Sequence, residues 1–334
     1  MIPTALENRP ENCWIVTDGS AGMENQCIGL AEAMQLDFVI KRIKTKKPWR
    51  WLPASLWLSP LEQLMDGSDL LKAPWPDILI SCGRQAIPMS IAVRKAAKGK
   101  TFTVHIQTPN ANPAKFDLVA VPEHDTLRGD NVIVSEGSLT RITQTMLQLE
   151  AKKFDTKLKE LTAPIVTVLV GGNNRCYDVT PDTMRDLCAK LTEMHKQSGC
   201  FFLVTTSRRT GDKNTEILKK TLSNLPHQLW TGEGENPYFA YLEKCDAIVV
   251  TADSVNMVCE ACTSGKPVMV YELPGGNKKF NFFHQRMQTL KYTRPFKGTL
   301  QQWNPPKLSE TSRIASVVWN KWEQHRHVEE SQKL

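Results

Sequence analysis

Short apolar runs recur along the chain, each closed by a cluster of small and polar residues and followed by a stretch of helical spacing. Cys13–Thr17 is the first, ending in the turn DGSAGMENQ and a helix that reaches about Met34. Phe38–Ile43, Asp77–Ser81, Thr101–Ile106, Leu118–Val121 and Asn131–Val134 read as further strands, with a helix after CGRQ running through Ala97. Wholly apolar strands alternating with helices predict a parallel, doubly wound sheet covered on both faces.

Around residues 150–163 the pattern turns charged and helix-like, AKKFDTKLKELTAP, and Pro164 closes it. The spacing places a linker there, and then the rhythm restarts. Ile165–Val170, Phe201–Thr205, Gln228–Trp230, Ala247–Thr251 and Pro267–Tyr271 read as strands, with helices reaching about His195 and Leu222 and another over NPYFAYLEKC. After Tyr292 the pattern becomes irregular, and residues 310–325 form a last helix. At 334 residues the chain suits two domains on a prior of roughly 100–200 residues each. We read residues 1–155 as an N-terminal domain and 163–334, final helix included, as a C-terminal one. Two Rossmann-like α/β domains, each a doubly wound parallel sheet, facing across a cleft make up the glycosyltransferase-B architecture, which some periplasmic binding proteins share. No secretory leader pattern opens this sequence, which favours the former.

The chemistry falls where strands end, the position at which open α/β sheets bind ligands. In the first half Asp18, Gly19, Ser20 and Gly22 follow the first strand. They read either as a plain turn with a helix cap or as a ligand loop in which Asp18 is a general base toward an acceptor hydroxyl. DGSAG lacks the spacing of a dinucleotide fingerprint. Gly83 and Arg84 repeat the arrangement with a cation added, and Gln107–Asn110 and His124 follow later strands; His124 is either structural or an acceptor-side catalytic group. In the second half Gly171, Gly172 and Asn173 form another glycine turn. Ser207, Arg208, Arg209 and Thr210 read as a diphosphate clamp or as a solvated capping loop. Asp253 and Ser254 open a helix whose first N–H groups point at the crevice, and Glu260 lies further along it. Amide donors, small oxygens and one carboxylate suit a ligand with both phosphate and sugar hydroxyls. No HExxH, DxD or Walker motif is present, so the reading assigns neither a metal nor a P-loop.

Composition alters this little. Hydrophobic residues make up 41% and charged residues 23%, as in an ordinary globular protein, and the net charge of +7 favours anionic ligands. Neither a long basic run nor a nucleic-acid module accompanies that charge, so we expect no nucleic-acid partner. Nine scattered cysteines read as reduced, buried thiols of a cytoplasmic protein. The insertion over residues 46–65 sets Trp49, Trp51 and Trp57 beside Lys46, Lys47 and Arg50, with Pro48, Pro53 and Pro60 breaking any long helix. It suits a peripheral contact with the inner face of a membrane, or equally a loop whose tryptophans pack onto the domain. Lys278 and Lys279 add to a basic rim.

The blocks WIVTDGSAGMENQ, DILISCGRQ, VHIQTPN, DLVAVPEHD, VLVGGNN, VTTSRRT and VTADSVNMVCEACTSGKPV, in this order, resemble the mitochondrial-fission ELM family of plants and bacteria. The plant member is implicated in bringing a dynamin-related GTPase to the mitochondrial outer membrane. The last block is also similar to the donor-site segment of glycosyltransferase-B enzymes, among them the one that adds N-acetylglucosamine to lipid-linked peptidoglycan precursors. In those enzymes a glutamate after a small-residue turn holds the nucleotide ribose, and Glu260 matches that position. The site residues and the resemblance together lead to a metal-independent glycosyltransferase, or a related nucleotide-sugar-binding enzyme, without a cofactor. It would take a nucleoside-diphosphate sugar as donor and a lipid-linked or saccharide acceptor. Two rivals remain: a non-catalytic, membrane-associated scaffold that recruits a partner, and a nucleotide-sugar epimerase of the same fold, which needs additional acids.

Overall fold

The computed structural model of the chain describes residues 9–158, 161 and 164–331. Positions 1–8 and 332–334 of the expected domains, and 159–160 and 162–163 of the expected linker, lie outside the described residues. The chain divides into two units: one runs to Arg141 and resumes at Ser309, and the other is Ile142–Leu308.

The first unit contains β1 (Cys13–Thr17), α1 (Ala21–Ala33), β2 (Phe38–Arg42), β3 (Ile78–Cys82), α2 (Ala86–Ala96), β4 (Phe102–Ile106), β5 (Leu118–Pro122) and β6 (Val132–Ser135). Its strands are all parallel, in the order β2-β1-β3-β4-β5-β6. Alternate residues of β1 enter different cores, as the two-residue period of a strand requires. Cys13 and Ile15 pack with Leu30 of α1 and with Met34, which caps that helix, while Trp14 and Val16 pack with Met89 and Val93 of α2. The insertion forms three short 3-10 turns, Trp49–Trp51, Ala54–Leu56 and Pro60–Gln63. Trp57 is buried and its ring centroid lies 5.9 Å from that of Trp49, whereas Trp51 is 62% exposed with the Lys47 ammonium 5.3 Å from its ring. The insertion therefore packs two of its tryptophans inward and presents the third.

The second unit contains α3 (Gln144–Lys153), α4 (Asp155–Leu158), β7 (Ile165–Val170), α5 (Pro181–Ser198), β8 (Phe201–Thr206), α6 (Asp212–Leu222), β9 (His227–Trp230), α7 (Tyr238–Lys244), β10 (Ala247–Thr251), α8 (Val255–Thr263), β11 (Val268–Tyr271), α9 (Lys278–Thr289) and β12 (Thr293–Pro295). Again every pairing is parallel, in the order β12-β11-β10-β7-β8-β9. Both sheets are thus of the doubly wound kind that the apolar runs predict.

The last helix, α10 (Glu310–Ser331), lies in the first unit. Ile314, Ala315, Val318, Trp319 and Trp322 form one helical face, and they are buried among α1 residues and strands of the first sheet. Thr311 Oγ1 donates to the Thr140 carbonyl at 2.9 Å and accepts from the Thr140 N–H at 2.9 Å. The sequence reading assigned this helix to the C-terminal domain because it follows that domain in the chain. Its apolar face decides otherwise. The change between units falls at Arg141–Ile142, ahead of the charged stretch read as a linker, because Leu147, Ala151, Phe154 and Leu158 are buried in the second unit's core. β12 went unread because its three residues, Thr-Arg-Pro, carry no apolar run.

Candidate functional site

Strand order locates the crevices. In the second unit the chain runs β7 to β8 to β9 in one direction across the sheet, and β10 to β11 to β12 in the other. The reversal lies between β7 and β10, and in open α/β sheets the loops leaving such a pair of strands bound the ligand crevice. Those loops begin at Gly171 and Ala252. In the first unit the reversal lies between β1 and β3, whose loops begin at Asp18 and Gly83.

Asp253 organises the second unit's crevice. Its side chain is fully buried, and its Oδ2 accepts from the Gly172 N–H at 3.0 Å and from Arg209 Nη2 at 3.1 Å. Its Oδ1 accepts from Thr251 Oγ1 at 2.7 Å, and Thr251 Oγ1 in turn accepts from the Gly171 N–H at 2.8 Å. A buried carboxylate needs such a complete set of donors, since charge removed from water is costly unless paired and hydrogen-bonded. The two glycines follow from this packing. A Cβ on Gly171 would lie 2.1 Å from Asp253 Oδ1, and one on Gly172 would lie 2.0 Å from the Arg209 backbone. Thr210 Oγ1 donates to the Gly171 carbonyl at 2.6 Å, and the Asn173 N–H donates to the Arg209 carbonyl at 3.2 Å.

Sequence reasoning treated Gly171, Gly172, Asn173 and Asp253 as ligand-facing, and Arg208 with Arg209 as one clamp. The structure places them together but divides their labour. The Gly171, Gly172 and Asn173 amides and the Asp253 carboxylate are consumed within the protein. Arg209 is held against Asp253, whereas Arg208 is exposed and its guanidinium has no hydrogen bond or ion pair among the described residues. Ser207 takes part in the same turn: its N–H donates to Thr210 Oγ1 at 3.0 Å, and its Oγ accepts from the Arg209 N–H at 3.2 Å. Ser254 caps α8, accepting from the Met257 N–H at 3.4 Å. That leaves the positive end of α8 directed at the crevice.

Glu260, on α8, is only 9% exposed. The Tyr238 hydroxyl, at the start of α7, donates to its Oε2 at 2.6 Å. Burial pushes the Glu260 carboxyl up to about 7, against which the Tyr238 hydrogen bond acts in the opposite sense. Burial, with the Glu260 charge second, holds the Tyr238 phenol well above its ordinary range. The sequence reading missed Tyr238, which lies 22 positions from Glu260 and meets it only in the folded chain. It also missed His284 of α9, whose Nε2–H donates to the Ala252 carbonyl at 2.9 Å. Burial lowers the pKa of this imidazole.

In the first unit Asp18 Oδ1 accepts from the Ser20 N–H at 3.1 Å, and Oδ2 accepts from Gln85 Nε2 at 3.4 Å. Gly19 and Gly83 adopt φ values of 79° and 91°, and a Cβ on Gly83 would lie 2.5 Å from Met23 Sδ. The loop reading for Gly22 is corrected, because α1 begins at Ala21 and Gly22 lies in its first turn. Arg84 Nη2 donates to the Trp51 carbonyl at 2.7 Å and so ties the loop after β3 to the aromatic insertion. His124 is half-buried in the turn after β5, beside Asp125, which accepts from the Thr108 hydroxyl at 2.5 Å.

A family model described as mitochondrial fission ELM1 matches residues 21–322. The chain belongs to the mitochondrial fission ELM1 family. The mitochondrial fission protein ELM1 of Arabidopsis thaliana is 26% identical over 382 residues, covering 91% of this chain and 89% of the plant protein. Among solved structures, the UDP-GlcNAc 2-epimerase of Neisseria meningitidis bound to UDP-GlcNAc matches at a TM-score of 0.50 and 16% identity, covering 93% of this chain and 99% of that one. A UDP-glucosyltransferase of Polygonum tinctorium matches at 0.50 and 10%, covering 96% and 94%. This member of the ELM1 family therefore has the glycosyltransferase-B type of fold, two doubly wound parallel-sheet units in one chain. At these identities the likeness speaks for fold alone.

Proposed function

We propose that the chain binds a nucleoside-diphosphate sugar on its second unit and transfers the sugar to an acceptor hydroxyl. One observation carries this reading. The loops at the second unit's switch point and the neighbouring loop after β8 carry a Ser-capped helix start (Ser254), a buried carboxylate on that helix (Glu260) and an exposed guanidinium with no partner among the described residues (Arg208). These suit a diphosphate and a ribose. Arg208 and the α8 amides meet the diphosphate, Glu260 accepts from ribose hydroxyls, and Asp253, Arg209, Ser207 and the Gly171–Gly172 turn hold the frame. The names of the structural neighbours, one bound to UDP-GlcNAc and one a UDP-glucosyltransferase, support a uridine diphosphate sugar as the donor.

In the transfer, the acceptor oxygen forms its bond to the anomeric carbon as the bond from that carbon to the phosphate oxygen breaks. The Asp18 carboxylate takes the acceptor proton, and the departing diphosphate keeps the electron pair. Arg208 and the α8 amides stabilise that charge as it develops, the usual use of preorganised donors. His124 is a second acceptor-side candidate. Incubating the purified chain with isotope-labelled uridine diphosphate sugars tests this. Binding that Glu260→Ala weakens at least tenfold supports the donor site, and release of uridine diphosphate with a glycosylated product supports transfer. No binding of any diphospho-sugar would sink the reading.

The same donor site serves an epimerase, which would return an epimeric sugar nucleotide with no acceptor present. A scaffold reading draws on the exposed Trp51 ring and on the plant relative's name. It predicts sedimentation with anionic liposomes that is lost when Trp51 is replaced by Ser.

A further inference from the structure

The first unit carries a depression that the donor reading does not use. At the ends of β3 and β4 a cavity of about 240 Å³ is walled by Arg50, Arg84, Trp57, Pro88 and Asn110. Neither guanidinium pairs with a carboxylate among the described residues, and the one side-chain hydrogen bond of the two within that set is that of Arg84 to the Trp51 carbonyl. Two cations at one small cavity without a counter-charge raise each other's free energy, and an anion between them removes that cost. Guanidinium forks are also the side chains best matched to phosphate geometry.

The cavity does not stand alone. Trp57, Ala54 and Pro88 also wall a second, open groove of about 710 Å³, which continues along α2 over Leu58, Leu61, Ile91 and Ala92. Its lip carries Leu58, 73% exposed, beside the 59% exposed Leu56, and its rim carries Lys95 and Lys115 against the single acid Glu62. An anion pocket that shares its Trp57 wall with an apolar groove carrying a basic rim matches one molecular shape. Both volumes together fall within the ~300–1,000 Å³ of small-molecule sites.

We propose that the Arg50–Arg84 cavity and the adjoining groove bind a long-chain phosphate amphiphile, the phosphate between the two guanidinium groups and the chain along Leu58, Leu61 and Ile91. The inference rests on the transferase reading only in making this amphiphile the acceptor; the binding itself stands apart. Arg84 is next to Gln85, whose amide donates to Asp18, so a ligand seated there lies beside the base assigned to that reading.

Calorimetric titration of the full chain with butyl, octyl and decyl phosphate below their micelle concentrations tests it, with inorganic phosphate and decyl maltoside as controls. Affinity should rise about three- to fourfold per added methylene, and exceed that for either control at least tenfold with decyl phosphate. The double variant Arg50→Gln, Arg84→Gln should lose at least tenfold for decyl phosphate, and Leu58→Asp should flatten the chain-length dependence. Leu58 is exposed, so that second variant keeps the test valid if the double variant misfolds. Decyl phosphate binding no tighter than inorganic phosphate, or equally tight in both variants, overturns the proposal. Titration of the same preparations with uridine diphosphate separates the two readings. If uridine diphosphate fails to bind while decyl phosphate binds, the donor site fails and the amphiphile site stands.

Discussion

The Arg209 guanidinium lies 3.1 Å from an Asp253 carboxylate that is fully buried, although the arginine itself remains 43% exposed. Removing the cation strands a buried charge, whereas removing the adjacent Arg208 strands nothing. Arg209→Ala should therefore lower stability by about 1–3 kcal/mol, less than a fully buried pair because water reaches the arginine. Arg208→Ala should leave the unfolding midpoint unchanged and weaken uridine diphosphate binding at least tenfold. Thermal melts and titrations on the two variants check the division; equal effects of both on stability would contradict it.

Gly171→Ala and Gly172→Ala push a methyl group against the Asp253 carboxylate and the Arg209 backbone, at 2.1 and 2.0 Å. Neither neighbour is the free end of a flexible chain, so each variant should cost about 1–3 kcal/mol or more in chemical denaturation. Gly265→Ala is a control of another kind: its Cβ would meet nothing within 4 Å, but its φ of 79° leaves a conformational cost alone.

Glu260 predicts a pH dependence. Below pH 4.5 the carboxyl is neutral in both the folded and the unfolded chain and contributes nothing. Between 4.5 and about 7 the unfolded chain loses this proton and the folded chain keeps it, so the contribution to stability falls by about 3 kcal/mol and then levels off. Glu260→Gln should remove that decline. Ribose hydroxyls donate to the ionised form, so uridine diphosphate affinity should climb as pH rises through about 7, with proton release visible as buffer-dependent heats. Tyr238→Phe, which deletes a donor to the carboxylate, should move that climb to higher pH.

Asp117 holds three elements of the first unit together. It accepts from Arg94 Nε and Nη2 at 3.0 and 2.7 Å, and from the Thr103 N–H and hydroxyl at 2.8 Å each. Burial pushes its carboxyl up, but the bonds from Arg94 and Thr103 outweigh burial and leave the net shift downward from 3.8. The stabilisation is therefore present above pH 3.8 and lost as pH falls through the lower folded value. Asp117→Asn should cost about 2–4 kcal/mol at neutral pH and weaken the acid dependence of unfolding.

The sheets were legible because their strands are continuous apolar runs, and the crevice loops because small and polar residues follow each run. Their roles were less so. Arg208 and Arg209 are adjacent and chemically alike, and only the position of Asp253 separates an anchor from an open cation. Tyr238 and His284 sit in helices whose sequence gives no sign of facing Glu260 or Ala252. The helix over Glu310–Ser331 was legible as a helix, but its Ile314-Val318-Trp319-Trp322 face matches any apolar partner, and chain order misassigned it.

That helix bears on how the protein is made. Residues 142–308 are a continuous segment that is out of the ribosome ahead of α10. The first sheet, although synthesised earlier, has to wait with the face around Leu30 and Ile80 uncovered until Trp319 arrives. The second unit should thus complete its fold first, and the opening unit last, reversing the N-terminal-first order usual for successive domains. Ribosome-stalled chains that end before Ser309, extended by an unstructured linker long enough to fill the exit tunnel, should show a protease-resistant core from the second unit and a cleavable first one.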